Sequence, residues 1–175
     1  GGRQNVRPPA ISPSNSASEL ARHPIGTRLR LALGGKTDPA IGGRPLLVDA
    51  ELLHLSDGRY VGEGAMIGGL EGSFGPTAVI RVGGIDVLVI SSAAQLLDLG
   101  QFRAFGIEPT AKRVVAVKSM QHFRAAFEPV AGRVIVCDGG ALCSPDLTKL
   151  PYARVRRPIF PLDSSTAWDA RSVET

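Results

Sequence analysis

Hydrophobic and polar positions alternate with period two over TRLRLAL (27–33), which predicts a strand with one buried face. RPLLVDAELLHLSDGRYV (44–61) continues the alternation. It reads as a long strand, a Ser56-Asp57-Gly58 turn of the Asp-Gly hairpin type, and a return strand, with His54 on the solvent face. Residues 62–75 are glycine-rich and irregular. TAVIRV, Gly83-Gly84 and IDVLVIS then form a second hairpin around a two-residue loop, and the nearly all-apolar IDVLVIS predicts a central strand covered on both faces.

Beyond residue 95 the period changes. LLDLGQFRAFG (96–106) sets Leu97, Phe102 and Phe105 on one helical face, with Gly106 as the stop. RVVAVK (113–118) and RVIVCD (133–138) read as buried strands flanking a helix. That helix would be capped by Ser119 and would present Phe123, Ala126 and Phe127 to the core. The pattern predicts a single α+β domain: an antiparallel β-meander of hairpins followed by a small βαβαβ unit. Residues 1–26 read as a disordered or loosely packed lead-in, within which ELARHPIG holds one helical turn ended by Pro24. The domain spans 27–163, closing on the Pro-punctuated SPDLTKLPYARVRRPIFPLD, and 164–175 form a frayed tail.

Composition narrows the function more than the fold. With 43% apolar and 21% charged residues in 175, the chain reads as a soluble globular protein with one core. The charge of +4 is spread along the chain, only Arg154, Arg156 and Arg157 clustering, and aromatics make up 5%. That is too sparse for base stacking, so nucleic acid is not an expected partner. No apolar run approaches the ~18 residues of a membrane helix, and the N-terminus lacks a signal-like apolar core, so a cytoplasmic setting without membrane contact is expected. Cys137 and Cys143 read as reduced thiols, Cys137 buried at a strand end.

The candidate chemistry sits in KSMQHFR. At the carboxyl end of a parallel strand, Lys118 and Ser119 would face the edge where α/β sheets bind ligands, with His122 on the first helical turn and Arg124 behind it. An N-cap serine, a surface histidine and a snorkelling lysine are also ordinary structural features. LGGKTDP (33–39) lacks phosphate-loop spacing, which leaves Lys36 as a contributor to a composite substrate site. His23, His54 and His122 are too scattered for a local metal motif, and no metal ligand is assigned.

Taken in order, LGGKTDP, LVDAELLHLSDGRYVGEGAM, GPTAVIRVGGIDVLVISS, KSMQHFRAAF and SPDLTKLPYARVRRPIFPLD resemble the C-terminal domain of MlrC-like proteins, the microcystinase C family, over residues 27–163. K-S-x-x-H-F-R and R-R-P-x-x-P-L-D are the most specific parts. The resemblance implies a zinc-dependent peptide or amide hydrolase whose metal ligands lie in a larger N-terminal domain. The D-N-P-G-G-G segment that joins the two halves in the family is not recognisable here. On this reading zinc belongs to the full-length family and none is bound by this chain alone. The expected partners are the N-terminal metal-binding domain and a peptide-like substrate, with homo-oligomerisation left open. Lys118, Ser119, His122 and Arg124 become catalytic candidates and Lys36 a substrate-binding one, in a chain inactive alone. The alternative is a non-catalytic remnant or interaction module.

Overall fold

The computed structural model describes residues 17–34, 43–137, 146–164 and 166. The predicted tail beyond 166, Lys36 and Cys143 lie outside the described residues. Two compact units are present, Gly1–Ile135 and Val136–Thr175. The fold is α+β.

In the first unit, β1 (Arg28–Leu33), β2 (Leu46–Ser56), β5 (Thr77–Val82) and β6 (Ile85–Ile90) form an antiparallel sheet in the order β1-β2-β5-β6. A two-stranded sheet pairs β3 (Arg59–Val61) with β4 (Glu71–Ser73). The hairpin read from TAVIRVGGIDVLVIS is present, with Val82 opposite Ile85 across the Gly-Gly loop. The hairpin read at Ser56-Asp57-Gly58 is not. β2 leaves that turn to pair with β5, while β3 crosses to β4, so the Asp-Gly signal marks a change of sheet.

Alternation loads both faces of the main sheet. Leu29, Leu31, Ala50, Leu52, Ala78 and Ile80 bury one face beneath Ala17 and Leu20 of α1 (Ala17–Leu20). The lead-in expected to be loose is therefore anchored at this turn: Leu20 is only 2% exposed. The other face packs Val79 against Phe74, Phe105 and Ile107, with Leu53, Leu88 and Ile90 beside them. A register shift between Leu52 and His54 inserts one residue into β2. This bulge is why Leu52 and Leu55 share one face while Leu53 serves the other, and why His54 is half-buried rather than solvent-facing.

β6 was expected at the centre of the sheet. Its alternation does serve both faces, Val87 and Val89 on one and Leu88 and Ile90 on the other. Yet it pairs only with β5 among the described strands. The central, fully buried stretch is Thr77–Ile80 of β5, held between β2 and β6.

α2 (Gly100–Arg103) ends as the sequence indicates. Gly106 takes φ +76°, its N–H donates to the Arg103 carbonyl, and the Ile107 N–H donates to Phe102. This is a Schellman stop, in which a Cβ-free residue allows the left-handed turn and Ile107 packs near Phe102.

The βαβαβ unit is the main difference from expectation. Residues 113–118 and 133–137 are not strands, and no ladder joins them to β6 among the described residues. Ile135 is 69% exposed, and Cys137 is exposed rather than buried. The helix expected from Ser119 is confined to α3 (Arg124–Phe127). Its apolar face is as read, with Phe123 and Phe127 buried and Phe127 edge-on to Phe102 at 6.2 Å.

In the second unit, Arg157 pairs with Asp163, whose carboxylate also accepts the Ile159 N–H at 2.7 Å. The R-R-P-x-x-P-L-D motif thus closes a loop on itself. This pairing holds the Asp163 carboxyl near 2, below the ordinary 3.8. No helix among the described residues is long and apolar enough to cross a membrane.

Candidate functional site

The segment between β6 and α2 frames the site. Asp98, 1% exposed, accepts three backbone N–H groups: Glu63 at 3.0 Å, Gly64 at 2.6 Å and Gly100 at 2.7 Å. Gln101, equally buried, accepts from the N–H groups of Leu97 and Asp98 and donates to the Gln95 carbonyl at 3.2 Å. Two buried polar side chains therefore fix 95–101 and draw the 62–64 loop against it. The approach is close enough that a Cβ on Gly64 would stand 2.7 Å from an Asp98 oxygen. A buried acid is retained because every bond it needs is supplied by amides.

Above this frame lies a cavity of about 200 Å³ lined by Glu63, Gly64, Leu99, Arg103, Ala125 and Ala126. Arg103 is its cationic wall. The guanidinium donates to Glu63 at 2.6 Å and to Glu108 at 2.8 and 3.2 Å. Hydrogen bonds from Arg103 and Thr110 hold the Glu108 carboxyl down to about 2, and the two carboxylates raise the Arg103 pKa. With both acids engaged, Arg103 is a braced wall rather than a free anion receptor. A larger cleft of about 550 Å³ follows the β3–β4 hairpin, away from the residues picked out by sequence.

Of those residues, the structure brings two together. The Gln95 amide donates from Nε2 to Ser119 Oγ at 2.8 Å, and its Oε1 stands 3.3 Å from His122 Nδ1. With the amide in that orientation, a neutral His122 carries its proton on Nδ1 and leaves Nε2 as the acceptor. Ser119 does not cap α3. The cap position is Phe123, which makes no side-chain cap bond, and the Ser119 hydroxyl is taken by Gln95 instead. Lys118 is exposed and makes no hydrogen bond or ion pair with other described residues. Arg124 turns away, pairing with Glu128 one turn on and lying 5.4 Å from the Phe123 ring centroid.

Sequence reasoning missed Gln95, Asp98, Gln101, Glu63 and Arg103. Only Asp98 left a trace, as a single acid inside the apolar run LLDLG.

No group of three or more His, Cys, Asp or Glu side chains capable of holding a metal comes together among the described residues. His23 follows α1, His54 lies on β2 and His122 precedes α3. These side chains do not fit a zinc site, for which three or four converging donors are required.

The comparisons match most of the chain, although the family model stops short of the R-R-P-x-x-P-L-D motif. A family model described as MlrC C-terminus matches residues 10–154. Microcystinase C of Sphingomonas sp is 30% identical over 142 residues, covering 79% of this chain and 26% of that protein. A solved structure from Mesorhizobium sp. BNC1, named "Putative metallopeptidase", superposes with a TM-score of 0.72 at 23% identity, covering 91% of this chain and 32% of that one. The chain thus spans about a quarter and about a third of these two proteins. With most of its length matched in family and fold, this chain belongs to the MlrC family, as that family's C-terminal part.

Proposed function

We propose that this chain is the C-terminal part of an MlrC-type peptide or amide hydrolase, contributing substrate-binding and proton-handling residues rather than a metal site. The observation that carries the reading is the pairing of Ser119 and His122 through Gln95, on the motif that best marks the family. In this arrangement Gln95 orients the imidazole, and His122 Nε2 exchanges a proton with the substrate or its leaving amine. Lys118, exposed beside it, holds a substrate carboxylate by charge. Arg124, held by Glu128, braces α3 beneath the pair. Lys36 would join the same substrate site. A metal, zinc by the family resemblance, would be held by the larger part that the relatives carry, and the chain alone would be inactive.

The test is reconstitution. This chain is mixed with the part of Sphingomonas microcystinase C outside the matched region, and hydrolysis of short linear peptides is followed. Turnover is expected only with both parts present. His122→Ala should lower kcat/KM about 100-fold with an unchanged melting curve. Turnover by this chain alone, or full activity in the His122 variant, would overturn the reading. The second reading, a non-catalytic interaction module, is favoured by the exposed apolar side chains of Val114 and Ile135. It predicts binding of the larger part without turnover.

A further inference from the structure

The segment Arg113–Lys118 has the composition and the alternating burial of a strand but no ladder among the described residues. Its composition, RVVAVK, is β-type. Both ends are tied to the chain that follows β5: Lys112 Nζ to Asp86 at 2.6 Å near the start of β6, and Ser119 to Gln95 beyond its end. The segment therefore runs in the same sense as β6, as a crossover connection through α2 gives. Its burial alternates. Val115 and Val117 are half-buried, whereas Val114, Ala116 and Lys118 are exposed, Val114 at 83%. Residues 133–135 repeat the pattern, with Val134 half-buried and Ile135 exposed. Neither segment has a backbone ladder among the described residues.

A β-type segment with exposed apolar side chains and no ladder among the described residues is a template for an added strand. A second copy of this chain fits it poorly. Antiparallel self-pairing of 113–118 in centred register would place Arg113 opposite Lys118 at both ends, two like-charge pairs facing across the ladder. The basic ends call instead for an apolar strand with acidic flanks. The length of the relatives supplies a source, since the match spans only 26% of microcystinase C and is described as the family's C-terminus.

We propose that the edge formed by 113–118, with Ile135, is the docking surface for the N-terminal part of an MlrC-type chain. That part adds a strand along 113–118 and covers Val114 and Ile135. The identity of this partner rests on the hydrolase reading above; the surface itself rests on the exposure of Val114, Ala116 and Ile135 and on the lack of a ladder among the described residues.

The experiment measures amide hydrogen exchange of this chain alone and with the part of Sphingomonas microcystinase C outside the matched region, alongside the dissociation constant. Amides of 113–118 and 133–135 should exchange freely in the isolated chain and gain protection of about tenfold or more in the complex. Val114→Lys and Ala116→Lys should each weaken binding about tenfold while leaving the isolated chain's melting curve unchanged, because both side chains point to water. No binding, binding without added protection at 113–118, or variants that bind as tightly as the parent would overturn the proposal. Protection that appears in the isolated chain as its concentration rises would also overturn it, by assigning the edge to a second copy. Protection without peptide hydrolysis upholds the surface and removes the hydrolase reading. Hydrolysis with 113–118 unprotected does the reverse.

Discussion

Asp98 and Gln101 act on backbone. Between them they receive five amide hydrogen bonds, joining the 62–64 loop to the segment that leads into the first turn of α2. Replacing Asp98 by Ala strands three N–H groups at a largely buried position, and each such orphan costs roughly 1–3 kcal/mol. Asp98→Ala should therefore lower the urea midpoint by the equivalent of about 3 kcal/mol or more, and Asp98→Asn by less, since one amide oxygen still accepts. Gly64→Ala should destabilise too, its new methyl meeting the Asp98 carboxylate.

At the same scale, Gln95→Leu should leave the melting curve within a small margin of the parent but release the His122 ring. The measurement is the tautomer ratio of His122 by nitrogen NMR, expected to shift away from the Nδ1–H form. An unchanged ratio would remove Gln95 from the site. Residues of this kind were invisible in the sequence. Gln95 matters because of partners 24 and 27 positions away, and no local pattern of apolar spacing records them.

Among the elements, those held by local chemistry were legible. The 77–90 hairpin follows from alternation plus a Gly-Gly loop, and α2 stops where Gly106 permits the left-handed turn. Gly106→Ala should cost about 1 kcal/mol in chemical denaturation, because a Cβ is strained at that φ. The fate of β3 was not legible, since Ser56-Asp57-Gly58 specifies a reversal without naming the strand that receives it.

Asp86 joins three elements, meeting Arg81 of β5 at 2.7 Å and Lys112 ahead of the 113–118 edge. Hydrogen bonds from these two cations hold its carboxyl at about 2, below the ordinary 3.8. The folded value lies below the unfolded one, so this contribution is complete above about pH 4 and is lost as pH falls through about 2. Asp86→Asn should lower the urea midpoint at pH 7 and have little effect at pH 2. Equal effects at both pH values would show that the ion pairs are not the cause.

For the whole molecule, two apolar layers on one twisted sheet account for the stability of the first unit, with Phe74, Phe105 and Leu52 almost fully enclosed. Phe105→Ala should cost about 3–5 kcal/mol by calorimetric or denaturant unfolding, the usual penalty for emptying an aromatic site in a packed core. The same packing leaves 113–118 outside. Its inward valines are half-covered, and its outer side chains have nothing to rest on within the described chain.

The sequence by itself determined the family, the α+β class and the alternation of the strands in the main sheet, because these are written in spacing and in short motifs. It also singled out Ser119 and His122, whose side chains the structure brings to the same glutamine. The tertiary structure decided which strands pair, that β6 ends the described sheet, that Arg124 turns to Glu128, and that Gln95 joins Ser119 to His122. The physical reason is range. Periodicity and turn chemistry act over a few residues, whereas sheet order and a polar junction are settled by which distant groups can satisfy one another once water is excluded.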